Sequence, residues 1–290
     1  MTYQNCTLCP RQCGVDRTNG ERGWCGAPGT ALVAKSMLHK WEEPVLAGEG
    51  GSGAIFFGGC TLGCLYCQNR AISAEAVGRA VDSAQLRGIM EDLIAQGAEN
   101  IDLVTPTHSL PTILPALTPK LPVPVVYNCG GYERVETLRE LEGKVDIYLP
   151  DLKYTDPGLG ARLSGAPDYF PVAAKAIREM VRQTGPARLE GEKLVRGTVL
   201  RHLILPGQVE NSLRALDWIG ETFAPGEVLV SLMRQYTPMP ATQNMPPMDR
   251  KVTQEEYDAV LSWMYLNDLE GFTQEDTAAK QEFIPDFNQI

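Results

Sequence analysis

No apolar stretch in this chain approaches the roughly 18 residues that a membrane-spanning helix needs. Positive charge is also in short supply. Lys and Arg number 26 against 36 Asp and Glu, a formal net charge of −10. That balance opposes general binding to nucleic acid or to an anionic membrane, because the backbone electrostatics would be repulsive. The opening run Met1-Thr2-Tyr3-Gln4-Asn5-Cys6 has neither the charged nor the apolar region of a signal peptide. No internal repeat or low-complexity block is present. These absences predict a cytoplasmic protein with no membrane or nucleic-acid partner. Thiols stay reduced there, so the eight cysteines read as ligands or catalytic groups rather than a disulfide framework.

What is there fills a substantial core. Apolar residues make up 43% of 290 residues, enough for one large domain or two modest ones. The 28 glycines and 21 prolines suit a fold with many strand–loop junctions. Strands are predicted at Gly53–Gly58, Ile101–Thr105, Val123–Asn128, Val145–Leu149, Thr198–Leu205 and Val228–Met233. Most carry Val, Ile and Leu on both faces, as buried parallel strands do. Helices are predicted at Ser83–Gln96, Val135–Leu141, Tyr169–Thr184, Glu210–Phe223 and Thr253–Leu269. Ser83 is the expected N-cap of the first, and Thr253 with Glu256 forms a capping box for the last. Six strands alternating with helices predict an α/β fold, a parallel sheet with helices outside it. Three segments are expected: a metal-binding lobe and connection over 1–48, a barrel over 49–273 and a tail over 274–290. In the tail, Phe283, Ile284 and Phe287 are the residues expected to dock. Lys35–Glu43, with His39, Trp41, Glu42 and Glu43, leads from the lobe toward the barrel; its polar residues are candidates for the active-site mouth, but a surface connection is the favoured expectation.

The chemistry concentrates at Cys60, Cys64 and Cys67, spaced C-x3-C-x2-C directly after the first predicted strand. Three thiols so close cannot form a self-contained disulfide system. They fit a metal centre held by three protein bonds, with one position free for chemistry. Gly58, Gly59 and Gly63 let the loop wrap tightly, and backbone amides near sulfur tune a reduction potential. Tyr66 stands where an aromatic ring covers a cluster or its ligand.

With the aromatic before its last cysteine, the loop resembles the signature of the radical S-adenosylmethionine (SAM) superfamily. The longer run from Phe56 to Arg70 is similar to the activating enzymes of pyruvate formate-lyase and other glycyl radical enzymes, and the resemblance spans roughly Gly53 to Met233. It implies a partial (β/α)6 TIM-like barrel. It implies that Cys60, Cys64 and Cys67 hold a 4Fe-4S cluster whose fourth iron is chelated by SAM. It implies one-electron cleavage of SAM to methionine and a 5′-deoxyadenosyl radical that abstracts hydrogen. A glycyl radical enzyme or another polypeptide is then the expected substrate, and flavodoxin or ferredoxin the expected electron donor.

Other positions follow from the same resemblance. Asp151 and Lys153 match the family's Asp-x-Lys, with the lysine near the SAM carboxylate as a point charge. Asn128 falls where the family contacts ribose or the methionine moiety; Cys129 beside it is expected to be a small buried residue. Arg201 is expected to face SAM, and His202 to pack on the opposite face because strand side chains alternate. The family's Gly-Gly-Glu after the second strand is missing. Thr105, Thr107 and His108 stand in that place and offer substitute acceptors for the SAM ammonium. The histidine after the sixth strand is missing too, and Arg234 and Tyr236 occupy that region as candidate substrate contacts.

The N-terminal cysteines Cys6, Cys9, Cys13 and Cys25 are spaced C-x2-C-x3-C-x11-C, with Pro10, Gly14 and Gly26 at the turns. Four thiolates make a closed site, and both zinc and iron–sulfur accept four. A structural metal would staple a segment too short to fold alone, and a second cluster would relay electrons. Simple activators lack such a lobe, whereas a subgroup of activator-like proteins resembles this chain in having it. Three functions are therefore weighed: a radical SAM activase, a radical SAM enzyme acting on a small molecule or another side chain, and a non-catalytic iron–sulfur or zinc protein.

Overall fold

The computed structural model describes residues 1–274 and Phe287. Its strands, in chain order, are β1 (Ala31–His39), β2 (Ser52–Phe57), β3 (Arg79–Val81), β4 (Ile101–Val104), β5 (Val125–Cys129), β6 (Ile147–Pro150), β7 (Arg188–Glu190), β8 (Lys193–Leu203), β9 (Leu229–Met233) and β10 (Gly271–Thr273). Its helices are α1 (Pro44–Ala47), α2 (Arg70–Ser73), α3 (Ser83–Ala95), α4 (Leu110–Ala116), α5 (Val135–Arg139), α6 (Pro157–Ser164), α7 (Tyr169–Thr184), α8 (Val209–Thr222) and α9 (Gln254–Leu266). All six predicted strands are found. They lie side by side and parallel as β2, β4, β5, β6, β8 and β9, with β10 added parallel to β9. The sheet order is β10-β9-β8-β6-β5-β4-β2-β1-β3, and β7 forms a hairpin with β8. The barrel is partial, because β3 and β10 end the two edges of the sheet without meeting.

One feature of the sheet was not expected. Residues 31–39, assigned to the lobe and its surface connection, form β1, which runs antiparallel along β2 from Val33↔Phe57 to His39↔Ser52. Past it the chain turns under the sheet. Val45 and Leu46 of α1 pack among the inward-facing Val126, Ile147, Leu149, Val199 and Leu229. The Asn100 side-chain amide donates to the Leu46 carbonyl at 2.8 Å. A four-residue helix has little stability of its own. Burying these two side chains is what holds it, at about 1.5–3 kcal/mol each.

The opposite faces of the strands meet the helices. Ile101, Leu103, Val125 and Tyr127 join Leu86, Met90 and Leu93 of α3 in one apolar cluster. The cap of α3 lies one residue before the predicted Ser83: Asp82 accepts from the Gln85 amide, and Gln85 completes the capping box. The Thr253–Glu256 capping box of α9 is present as predicted.

The N-terminal lobe is fastened to the barrel through arginines. Arg17 is buried and donates to the carbonyls of Ala27, Pro28 and His108. Arg11 donates to the Thr61 and Gly165 carbonyls and lies 3.8 Å over the Trp24 ring. Gly59 has φ of +93°, and a Cβ there would meet the Cys25 carbonyl oxygen at 2.6 Å. The lobe therefore presses directly on the backbone just before Cys60. No helix among the described residues is long and apolar enough to cross a membrane. Phe283 and Ile284 lie outside the described residues, whereas the Phe287 ring sits edge-on to Phe56 at 5.6 Å.

Candidate active site

Cys60, Cys64 and Cys67 follow β2 at the end of the barrel where the parallel strands finish. All eight cysteines are free. The Leu62 amide donates to Cys60 Sγ at 3.4 Å. The Ser164 hydroxyl donates to Cys64 Sγ at 2.9 Å, and Ser73 Oγ lies 3.5 Å from Cys67 Sγ. Burial pushes the Cys60 and Cys64 thiols up, the neighbouring sulfurs push Cys60 further, and Lys153 pulls both back. Thiols in such a site ionise when a metal centre takes the proton's place. Among the described residues, no three or more His, Cys, Asp and Glu are grouped to hold a metal ion. The fit to an iron–sulfur cluster lies in the donor set: three thiols, hydrogen-bond donors on the sulfurs, and a lysine alongside.

The hydrogen bond to Cys64 is the last link of a chain. Tyr66 Oη lies 2.6 Å from Tyr154 Oη, which lies 2.7 Å from Ser164 Oγ. Ser164 spends its proton on sulfur, so Tyr154 must donate to Ser164 and Tyr66 to Tyr154. Both phenols are buried, and burial holds both well above the usual tyrosine range. Tyr66 also lines the pocket that opens beside the cysteine loop.

That pocket is walled by His39, Trp41 and Glu42 on one side and by Cys64, Tyr66 and Cys67 on another. Gln68, Asn69, Gln235 and Thr237 join its polar lining, to which Asn128, Asp151, Lys153 and Arg201 add charge and an amide. Strand register explains why these four meet. Asp151 bridges to Arg201 across β6 and β8, and the Leu152 amide donates to the Arg201 carbonyl. Arg201 then donates to Asp151 Oδ1 at 2.9 Å, Asn128 Oδ1 at 2.6 Å and Glu42 Oε1 at 3.4 Å. Lys153 Nζ donates to Asp151 Oδ2. Burial would raise the Asp151 carboxyl, but the Arg201 and Lys153 charges outweigh it and hold it below its usual range. Burial would likewise lower Lys153, and the Asp151 charge reverses this. An anionic carboxylate and two cations thus stand preformed beside the thiols.

Below this floor lie two more carboxyls. Burial pushes Glu43 up to about 7, with the Glu42 charge adding to it and a hydrogen bond with Ser231 opposing. Burial raises Asp102 well above the usual range, again helped by Glu42. Asp102 Oδ2 accepts from Asn128 Nδ2 at 3.2 Å.

Asn128, Asp151, Lys153, Arg201 and Tyr66 therefore converge, whereas Thr105, Thr107 and His108 do not line the pocket. The expectation that these three face the SAM ammonium is corrected by where their side chains go. The Thr107 hydroxyl donates to the buried Glu133 at 2.6 Å. His108 Nε2 lies 2.8 Å from the Gly58 carbonyl, which requires Nε2 to carry the proton. Burial lowers its pKa to about 4, so the ring is neutral and supports the loop from below. Thr105 has φ of +58°, which turns the chain away after β4.

The surface-connection expectation for Lys35–Glu43 is corrected as well. His39, Trp41 and Glu42 line the pocket, and Glu43 is buried. The sequence signal was present, since six of the nine residues of Ala31–His39 are apolar, but nothing local says that it pairs with β2. Tyr236 lines the pocket, whereas Arg234 lies over the Tyr257 ring instead. His202 packs on the other face as predicted. Its Nδ1 lies 2.6 Å from the Leu152 carbonyl and its Nε2 2.9 Å from Ser212 Oγ, which ties the Asp151–Lys153 loop to α8. Cys129 is buried.

The N-terminal cysteines gather within the lobe. Cys25 feels the charges of Cys6 and Cys13, and Cys9 those of Cys25 and Cys13. Burial is the main reason that the Cys9 thiol is pushed up to about 12. The Trp24 amide donates to Cys13 Sγ at 3.3 Å, and Arg17 Nη1 lies 3.8 Å from Cys6 Sγ.

Comparison with known proteins agrees with this geometry. A family described as "4Fe-4S single cluster domain" matches residues 46–113, the stretch that contains the three-cysteine loop. An uncharacterised protein of Methanocaldococcus jannaschii is 28% identical over 269 residues, covering 89% of this chain and 74% of that one. Among solved structures, the chain is similar to Streptococcus suis SuiB bound to its precursor peptide SuiA, with a TM-score of 0.52 and 13% identity over 76% of this chain. It spans 47% of SuiB, about half that protein's length. It is also similar to a radical SAM methyltransferase from Sphaerobacter thermophilus, with a TM-score of 0.52 and 13% identity over 77% of this chain and 66% of that one. Spore photoproduct lyase in complex with a dinucleoside spore photoproduct gives a TM-score of 0.53 and 12% identity over 83% of this chain and 79% of that one. The fold is the partial barrel of the radical SAM enzymes.

Proposed function

We propose that this protein is a radical SAM enzyme of the activating type, acting on a glycyl radical enzyme or another polypeptide. The observation that carries the reading is a single juxtaposition. Cys64 and Cys67 of the three-cysteine loop, free of disulfides, line a pocket whose floor is Asp151, Lys153 and Arg201. Cys60, Cys64 and Cys67 would hold a 4Fe-4S cluster. Bound there, cluster and SAM would supply one-electron reductive cleavage of SAM, with hydrogen abstraction from the substrate as its outcome. The chain's own part is to bind and orient. Lys153 and Arg201 offer positive charge to a carboxylate, and Asn128 offers an amide to ribose hydroxyls. Tyr66 and Trp41 offer ring faces to the adenine, and the buried floor limits water.

The activating role rests on the similarity of residues 56–70 to activators of glycyl radical enzymes. Within this reading the four N-terminal thiols hold a second metal centre, zinc or iron–sulfur, and flavodoxin or ferredoxin supplies the electron in the cytoplasm. Anaerobic reconstitution with iron and sulfide, followed by SAM and dithionite, tests the chemistry through 5′-deoxyadenosine formation. A fully loaded cluster that yields none would overturn it. Deuterium passing from a glycine-labelled candidate partner into 5′-deoxyadenosine would establish the activating role; deuterium arriving only from a small molecule would replace it.

A further inference from the structure

The segment that follows β1 brings the Glu42 carboxylate to the pocket, and it rests in an unusual charge balance. Four carboxyls lie on or beneath the floor: Glu42, Glu43, Asp102 and Asp151. Two cations, Lys153 and Arg201, face them. Asp151 takes the close contacts of both, one oxygen to each. Glu43 and Asp102 are buried deeply enough to keep their protons more readily than ordinary carboxyls. Asp102 faces Glu42, whose charge and hydrogen bond both favour its protonated form. Glu42 is the wall carboxylate: the Asp102 carboxyl, holding its proton, hydrogen-bonds to it, and Arg201 Nη1 lies at 3.4 Å and Asn128 Nδ2 at 3.5 Å. Its side chain is 11% exposed, and that exposure opens into the pocket. Arg201 reaches Glu42 but is shared with Asp151, so the wall has room for a further cation.

The reading of the pocket as a SAM site identifies a ligand that brings one. SAM carries an ammonium, a sulfonium and a carboxylate, a net charge of +1. S-adenosylhomocysteine has the same adenosine and amino acid but lacks the sulfonium, so its net charge is zero. Lys153 and Arg201 suit the carboxylate that both ligands share. We propose that Glu42 is the residue that recognises the positive charge of SAM and makes the pocket prefer the sulfonium over its neutral thioether counterpart. The role expected of Thr105, Thr107 and His108 concerned the ammonium, which both ligands carry; the charge assigned to Glu42 is that of the sulfonium, met from the wall that follows the antiparallel strand. The geometry also explains why β1 is attached to the barrel: it positions Glu42 above the α1 plug.

The test is binding, measured by calorimetry on the anaerobically reconstituted protein with SAM and with S-adenosylhomocysteine. Glu42→Gln keeps the shape and removes the charge. It should weaken SAM by about tenfold or more, the range of one hydrogen bond to a charged group, and leave S-adenosylhomocysteine within about twofold. Glu42→Asp keeps the charge and should retain the preference for SAM. Equal weakening of both ligands by Glu42→Gln would make the residue structural and overturn the proposal, as would no change in either. Should Glu42→Gln fail to fold, Glu42→Asp decides: loss of the preference with the charge intact overturns the proposal. Wild-type protein that binds neither ligand would instead refute the SAM reading on which the proposal stands.

Discussion

Replacing Ser164 by alanine should lower the reduction potential of the cluster held at Cys60, Cys64 and Cys67. The Ser164 hydroxyl donates to Cys64 Sγ at 2.9 Å, and its proton is backed by Tyr154 and Tyr66 in a chain of 2.7 and 2.6 Å contacts. The whole chain is buried, so water cannot take the hydroxyl's place without a cavity opening. A hydrogen bond to a charged acceptor contributes about 1.5–3 kcal/mol. The sulfurs carry more negative charge when the cluster is reduced, so the bond favours the reduced state by a fraction of that amount. If the fraction is about 1 kcal/mol, its loss moves a one-electron potential down by about 40 mV, since tenfold in the equilibrium corresponds to about 59 mV. Redox titration followed by electron paramagnetic resonance reads this directly. Tyr66→Phe leaves the Ser164 donor in place and should shift the potential in the same direction by less. An unchanged or raised potential in Ser164→Ala, with the cluster fully loaded, would refute the assigned direction of the chain.

Arg201 joins Asp151, Asn128 and Glu42, so Arg201→Met strands buried carboxylates and should cost about 3–5 kcal/mol, read by urea unfolding. Its SAM affinity should fall with it. Leu46→Ala should cost about 2–5 kcal/mol with little change in secondary structure, because Leu46 fills the lower lumen at 2% exposure. The Glu133 carboxyl, raised from 4.5 to about 7 by burial, keeps its proton in the folded chain where the unfolded chain has lost it. Stability from this group therefore falls as pH rises from 4.5 to 7, by at most about 3 kcal/mol. Glu133→Gln should remove that decline, so its gain over wild type should grow with pH and level off above 7; a gain equal at pH 5 and pH 8 would contradict the burial argument. His108 and His202, both lowered to about 4 by burial, act in the other direction: their stability is lost as pH falls from 6.5 to 4.

The pattern of alternating apolar strands and helices was legible because buried parallel strands need apolar residues on both faces, and all six were found where Val, Ile and Leu run together. The three-cysteine loop was legible because its residues are adjacent in the chain, and their spacing restricts what they can hold. Asp151 and Arg201 were legible through resemblance, though 50 residues separate them. Their contact with each other was not, since it depends on β6 and β8 pairing at that register. The Thr105–His108 expectation came from position along the chain. It failed because φ of +58° at Thr105 and the buried partners Glu133 and Gly58 turn those side chains away.

By itself, the sequence determined the chemistry that can occur here, through three thiols in one short loop and the strand that ends before them. Only the tertiary structure decided which charges face that loop. The reason is one of range. Spacing along the chain governs groups a few residues apart, whereas Glu42, Asn128, Asp151 and Arg201 come from four separate segments. Sheet pairing and the burial of Val45 and Leu46 bring them together.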